Sequence, residues 1–493
     1  MDSHFLNYRQ VGRRLVLKGA LELTSPCHIG GATADATSDQ PILRDGEGQP
    51  YLPGTTLTGL LRSTLERTGP TMARLLFGTT WDDPTGKQAR LLLSDARIDS
   101  VGPVATELRD GVAIDPCRGV AAKNKKYDME LLPVGTRFHL CAQLELYGES
   151  ERDKPLLEGL LTLLHALETN QIALGARSRR GFGATCLVAD EQGCYWHVED
   201  YAVATAPDLY TWLGRKLSGL PPDWPSVKSV AYKDAAALAE QWQLSVPAAV
   251  SVDGFIVTVK LAVAASLLVG SEGHNPQQPD RSQLQRWRLQ DGKLLPEPVL
   301  PATSLSGVLR HRCLRIARTL AGESQQEKAE CLIEQMFGPA KIAKRKPAWA
   351  SQVTVREAPI RDGQFLRHTR VRIDPWTGGA VESLLFTEDA LYGGQVEVEI
   401  CLHDHGVEWA AQARALLLLA LRDLANGELN VGAEGGVGRG RLRPLPEQPF
   451  ATVTKPAARL YLQADGTVRC DPPDAFATEF EALQGYFGKG GDS

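Results

Sequence analysis

The chain is 493 residues long and is written twice, and this repetition limits its fold more than any other feature. Tyr51-Leu-Pro-Gly-Thr-Thr-Leu-Thr-Gly-Leu-Leu-Arg62 returns as Val299-Leu-Pro-Ala-Thr-Ser-Leu-Ser-Gly-Val-Leu-Arg310, and Leu76-Phe-Gly78 returns as Met336-Phe-Gly338. Ile114-Asp-Pro116 comes back as Ile373-Asp-Pro375. Leu174-Gly-Ala-Arg-Ser-Arg-Arg-Gly-Phe-Gly183 comes back as Val431-Gly-Ala-Glu-Gly-Gly-Val-Gly-Arg-Gly440. The separations are 248, 260, 259 and 257 residues, in the same order along both halves. Four ordered matches at nearly constant separation mean a tandem duplication. It places a first domain at 1–190, a linker or insertion at 191–251, a second domain at 252–445 and a C-terminal extension at 446–493.

The two copies also share a secondary-structure pattern. Arg14 to Leu23 and Phe255 to Ala262 alternate apolar and polar residues as strands do. After each Pro-Gly or Pro-Ala turn, Thr55 or Thr303 is expected to cap an amphipathic helix. Its apolar face is Leu57, Leu60, Leu61 and Leu65 in one copy and Leu305, Val308, Leu309 and Leu314 in the other. Leucine-dense helices follow at Leu156 to Leu167 and Ala411 to Leu424, each leading to a glycine-rich segment and a further strand. The pattern is α+β, most simply two ferredoxin-like (RRM-like) β-α-β-β-α-β units. The linker holds the Pro-rich Leu220-Pro-Pro-Asp-Trp-Pro225 and an expected helix at Asp234 to Trp242.

Composition excludes several classes. The net charge of -5 and pI near 6.1 do not suit a protein that coats nucleic acid through bulk basicity, leaving local basic runs as the route to a phosphate backbone. Nine scattered cysteines without a CxxC pair suggest neither a disulfide scaffold nor a Cys-based zinc site. The N-terminus has no apolar signal core and no apolar stretch reaches a membrane span, so a cytoplasmic protein without a membrane partner is expected.

Two motifs can meet phosphate. Closely spaced glycines let backbone N–H groups approach an anion, and Gly175, Gly181 and Gly183 are interleaved with Arg177, Arg179 and Arg180. The second copy's loop carries Arg439. The helix starts add hydroxyls beside free backbone N–H groups, at Thr55, Thr56 and Thr58 and at Thr303, Ser304 and Ser306, an anion-friendly arrangement. Neither glycine loop ends in the Lys-Ser/Thr of a Walker loop, which argues against a nucleotide-dependent enzyme.

Read together, these residues resemble the RAMP superfamily (repeat-associated mysterious proteins), specifically the backbone subunits of type III CRISPR effector complexes. The resemblance rests on His28-Ile-Gly-Gly31, Ser38-Asp-Gln-Pro-Ile-Leu-Arg-Asp45, Gly48-Gln-Pro-Tyr-Leu-Pro-Gly-Thr-Thr-Leu-Thr-Gly-Leu-Leu-Arg62, Phe77-Gly78 and the Gly175 to Gly183 loop. The second half matches more loosely. Two fused backbone domains look like the double-domain fusion of type III-D variant systems.

The resemblance implies a protein that holds a guide crRNA along a groove and cuts the paired target RNA, as one part of an antiviral ribonucleoprotein. The large polymerase-like subunit and further RAMP backbone subunits would be its neighbours. It implies a loop aspartate that works with a divalent metal, Mg2+ or Mn2+; the matching residue is Asp39, with Asp35 its competitor. In the second half Asp280 is the positional match, with Glu272 and Asp291 as alternatives. His28, an expected RNA contact, and His274 lie beside these loops. Where the family has Lys after Ser-Leu this chain has Thr58 and Ser306, so Arg62 and Arg310 are expected to compensate. The family's thumb-like hairpins would fall near Ile114 to Tyr127, with Lys123, Lys125 and Lys126, and near Arg367 to Phe386, with Arg370, Arg372 and Trp376. The competing readings are a non-catalytic scaffold with one or both acidic loops inert, and a metal-independent guide-processing endonuclease.

Overall fold

The computed structural model describes residues 10–31, 38–67, 69–79, 86–99, 104–114, 121–217, 221, 224–245, 254–272, 279–339, 348–404 and 406–488. In the first repeat β1 (Arg13–Leu23) leads to α1 (Gly54–Glu66), α2 (Pro70–Phe77) and β2 (Leu91–Leu93). A hairpin of β3 (Glu107–Ile114) and β4 (Ala121–Leu131) follows, then β5 (Arg137–Leu146), α3 (Ser150–Glu168) and β6 (Thr185–Leu187). The central strand is β1. It runs antiparallel to β5, with Leu15 opposite Leu144 and Leu21 opposite Phe138, and its other edge takes β6. Since β2 lies on the far side of β5, the order is β6-β1-β5-β2. This is consistent with the expected α+β unit. Leu57, Leu61 and Leu65 of α1 and Leu160, Leu161 and Leu164 of α3 pack with Leu17 and Phe138 in one core. The insertion extends the same sheet through β7 (Trp196–Ala202) on β1 and β8 (Val230–Tyr232) on β7.

The second repeat follows the same plan. It comprises β9 (Phe255–Val263), β10 (Gln285–Gln290), β11 (Lys293–Leu300), α4 (Ala302–Ala321), α5 (Gln326–Phe337), β12 (Val353–Val355), β13 (Ala358–Ile373), β14 (Ala380–Leu402), α6 (Ala410–Ala425) and β15 (Leu442–Pro444). The strand order β15-β9-β14-β12 matches the first repeat's. A long two-stranded ribbon, β13 with β14, takes the place of the shorter β3–β4 hairpin. The C-terminal extension is folded: β16 (Ala451–Val453) pairs with β9, and α7 (Ala477–Gly488) puts Leu483 and Phe487 into the second core.

One local expectation is corrected. Thr55 and Thr303 lie inside the first turns of α1 and α4, whose caps are Pro53 and Pro301 in extended conformation. The proline ring already fixes the φ this position needs, and the Gly54 N–H finds its acceptor across the chain, in Asp95 Oδ1 at 2.7 Å.

The chain forms two compact units that do not follow the repeat boundaries. The first holds 1–106, 131–176 and 183–251; the second holds 252–493 together with 107–130 and 177–182 from the first repeat. No helix among the described residues is long and apolar enough to cross a membrane.

Candidate nucleic-acid interface

Within the second compact unit the first repeat's glycine loop, its hairpin and the start of α4 line a cleft of about 260 Å³. Arg177 stands at φ 61°, and Gly181 turns back at φ 86°. Gly181 has to be glycine: a Cβ there would lie 2.5 Å from Ala302 Cβ and 2.7 Å from the Val355 carbonyl. Arg177 donates to Tyr127 Oη at 2.6 Å and stacks over its ring, while Arg179 reaches Thr354 Oγ1 at 3.5 Å. Arg180 and Arg310 face the cleft beside Thr303 and Ser306, and among the described residues neither makes an ion pair. Burial lowers the Arg310 pKa; Glu334 offsets this in part and the neighbouring Arg180 charge adds to it. Like charges held together with no carboxylate in ion-pair contact are relieved by an arriving anion.

The hairpin is fixed by buried charge. Arg109 donates to Glu107 through Nε at 2.8 Å and pairs with Glu357 at 2.5 Å. Arg286 lies 3.7 Å from the second Glu357 oxygen and bonds Glu297, while the Trp287 N–H donates to Glu107 at 3.1 Å. The side chains of Arg109, Glu107, Glu357 and Arg286 are only 6%, 4%, 3% and 2% exposed. Burial opposes the Arg109 charge, yet Glu357 and Glu107 hold its pKa up; burial raises that of Glu107.

The second glycine loop has the same backbone and the opposite charge. Glu434 occupies the Arg177 position at φ 60°. It bonds Arg370 at 2.9 Å and lies 3.3 Å from Arg439, whose other nitrogen is 3.0 Å from the buried Glu388. Burial, then the bond shared with Glu434, raises the Glu388 pKa. Burial works against the Glu434 charge, but Glu388 and the arginines pull its pKa down. Arg439 is 3% exposed, so this arginine, expected at an RNA surface, is spent inside the protein. Arg370 is half-buried in the same cluster; Arg372 is exposed on the ribbon and makes no ion pair among the described residues.

In the first unit the loop after β1 is closed by backbone bonds from Gly31 to Pro41 and from Leu43 to Ile29. Asp39 is exposed on its returning limb, next to a Ser38 Oγ that accepts the Gln40 N–H. His28 is buried at the loop's base, where its carbonyl accepts the Ala176 N–H, so its side chain is not presented to solvent. Thr55 is exposed, Thr56 and Thr58 are half-buried, and Arg62 pairs with Glu66. Asp280, in the second unit, is exposed, but its Oδ2 accepts the N–H and hydroxyl of Thr387 at 2.7 and 3.3 Å. Ser304 is half-buried on α4, and Lys123, Lys125 and Lys126 are exposed on β4, Lys126 lying 3.7 Å from Asp110. Asp35 and His274 lie outside the described residues, as does the Glu272 side chain.

A family model described as the RAMP superfamily matches residues 20–186 and 286–443, one stretch in each repeat. The chain belongs to the RAMP superfamily. It is also similar to a protein of Methanocaldococcus jannaschii described as CRISPR system Cms endoribonuclease Csm3, 25% identical over 194 residues that cover 34% of this chain and 77% of the relative.

In this RAMP protein the cleft joins two motifs far apart in the sequence, Arg177 to Arg180 from one repeat and Thr303 to Arg310 from the other. The buried charges Glu107, Arg286 and Glu357 were not found from sequence. The one signal for Glu107 and Arg286 is charge at inward positions of β3 and β10; Glu357 lies in the link between β12 and β13. Among the described residues no three His, Cys, Asp or Glu side chains converge as a metal cluster. An exposed carboxylate such as Asp39 fits a different kind of site: a hydrated Mg2+ that takes few protein ligands and completes its shell with water and substrate phosphate.

Proposed function

We propose that this RAMP chain is a guide-RNA-holding backbone subunit of a type III CRISPR ribonucleoprotein, and that it cuts target RNA paired to the guide. The observation that carries the reading is the cleft in which Arg180 and Arg310 converge without an ion pair among the described residues, at a helix start lined by Thr303 and Ser306. A phosphodiester answers that charge and those donors. Sequence would be read by base pairing, while the protein binds backbone and shape. The relative's description as a CRISPR endoribonuclease supports the nuclease part of the reading.

Asp39 is the residue that would hold a divalent ion, which supplies neutralisation of charge on the scissile phosphate. In the cut the ribose 2′-oxygen bonds to phosphorus and gives up its proton, the P–O5′ bond breaks, and the 5′-oxygen takes a proton, leaving a cyclic phosphate. The exposure of Asp39 on the loop closed by the Gly31–Pro41 bond supports this role.

A second reading applies to the second repeat. Asp280 spends one carboxylate oxygen on Thr387, which favours a structural acid and an inert loop there. The test replaces Asp39 and Asp280 by Ala, singly and together, in the assembled particle with guide RNA, and maps the target fragments with and without EDTA. Asp39→Ala is expected to remove one distinct cut while guide binding persists. If Asp280→Ala removes a second cut, both repeats cleave; if it leaves the pattern intact, the structural reading holds. An unchanged pattern for Asp39→Ala, or cutting that survives EDTA, refutes the assignment of Asp39.

A further inference from the structure

A second cavity of about 620 Å³ in the same compact unit has the opposite character. Its walls include Trp349 and Trp409, with His403 also lining it, and one side is the face of α5 bearing Glu327, Glu330 and Glu334. Trp349 is 45% exposed, a large indole surface left in water although its Nε1 is satisfied by the Glu334 carbonyl at 2.9 Å. Trp409 is half-buried against the core and presents its remaining face to the cavity. Glu330 pairs with Arg318, but among the described residues Glu327 and Glu334 make no ion pair.

Aromatic faces beside carboxylates are the surroundings a guanidinium or ammonium prefers, because the ring quadrupole and the carboxylate attract the same charge. The carboxylates repel phosphate, so RNA is not the occupant the charge selects. Size separates a peptide from a small cation. Carboxylates at i, i+3 and i+7 spread over about 10 Å along a helix. An extended chain presents same-face side chains every ~7 Å, so two cations on alternate residues span the row where one cannot.

We propose that the Trp349–Trp409 cavity is a docking site for a basic segment of a protein partner, an extended strand carrying arginine or lysine at alternate positions. The segment lies along α5 with one cation against the Trp349 indole and Glu334 and the next toward Glu327. Glu334 also acts on the Arg310 charge of the RNA cleft, so Glu327→Gln and Trp349→Ala are the substitutions whose failure leaves the proposed function standing.

The probe is a fluorescein-labelled acetyl-(Arg-Ala)4-amide peptide, titrated by anisotropy against the full chain. The paired substitution Glu327→Gln with Glu334→Gln is expected to weaken binding tenfold or more, and Trp349→Ala by about 3- to 30-fold. A peptide with citrulline for arginine is expected to bind at least tenfold more weakly. Thermal unfolding should be unchanged in Glu327→Gln, whose side chain is exposed, and is measured for every variant so that a loss of binding is read only on folded protein. Equal affinity of all variants for the peptide, or equal affinity for the citrulline peptide, overturns the proposal. So does a single-stranded RNA 20-mer that displaces the peptide from this cavity. If neutralising Lys341, Lys344, Arg345 and Lys346 to Ala tightens peptide binding tenfold, the chain's own basic run is the occupant and the partner reading falls.

Discussion

Replacing Arg109 by Met tests whether buried charge holds the β3–β4 hairpin in place. The substitution keeps most of the side-chain volume and removes the one cation that bridges Glu107 and Glu357. Both carboxylates are under 5% exposed, and Arg286, 3.7 Å from Glu357, is left as the only buried counter-charge described there. Breaking a buried pair by removing one partner costs about 3–5 kcal/mol, because the remaining charge is neither solvated nor matched. At about 1.4 kcal/mol per tenfold, hairpin opening should become about a hundred- to a few-thousand-fold more frequent. Hydrogen exchange of the amides in 107–114 measures this directly and avoids treating a chain of two compact units as one cooperative transition. The loss should shrink at lower pH. Burial already raises the Glu107 pKa, and an acid so raised favours the folded state below its unfolded value and loses that contribution as pH rises through the folded one. Removing Arg109 widens that window, so the defect grows from pH 5 to pH 8. Adding Glu107→Gln, which keeps an acceptor for the Trp287 N–H, should recover part of the loss. A decrease in protection below about fivefold at pH 8 would refute the reasoning.

Other outcomes follow from the same geometry. Arg180→Ala and Arg310→Ala should each weaken RNA binding and lower the slope of log affinity against log salt by about 0.7–1, measured by filter binding from 50 to 300 mM salt; an unchanged slope means neither meets a phosphate. Gly181→Ala puts a Cβ 2.5 Å from Ala302 Cβ at a positive φ and should cost about 1–3 kcal/mol together with RNA affinity, whereas Gly436→Ala, where a Cβ meets nothing within 4 Å, should be close to neutral in thermal unfolding. Asp389 has its pKa held down first by the Arg367 hydrogen bonds, so its contribution to the ribbon is present above the ordinary carboxylate range and is lost as pH falls through the depressed value. Ribbon amides should lose protection in acid, and Asp389→Asn should flatten that dependence.

Much of the fold was legible because duplication writes each signal twice. The strand expected at Phe255 to Ala262 is Phe255–Val263, and the leucine-rich helix expected at 411–424 is Ala410–Ala425. The helices α1 and α4 are capped two residues ahead of the expected Thr55 and Thr303, since in the first copy Pro53 sets the backbone while Asp95, 41 residues away in sequence, supplies the acceptor. What the sequence hid is pairing across long separations. Glu434 reads as a change within a glycine loop, and only the fold shows it binding Arg370 and Arg439. Asp280 reads as a loop acid, and only the ribbon's return brings Thr387 to it.

The Arg109–Glu357 pair also bears on how such a chain can change over generations. One half of the duplication supplies the cation and the other the anion, 248 residues apart. A crossover or break inside 191–251 would give two pieces, Arg109 keeping only Glu107 and Glu357 keeping only the more distant Arg286. The halves have therefore ceased to be interchangeable modules: drift at position 109 must be answered at position 357, and the fusion, once made, resists being undone.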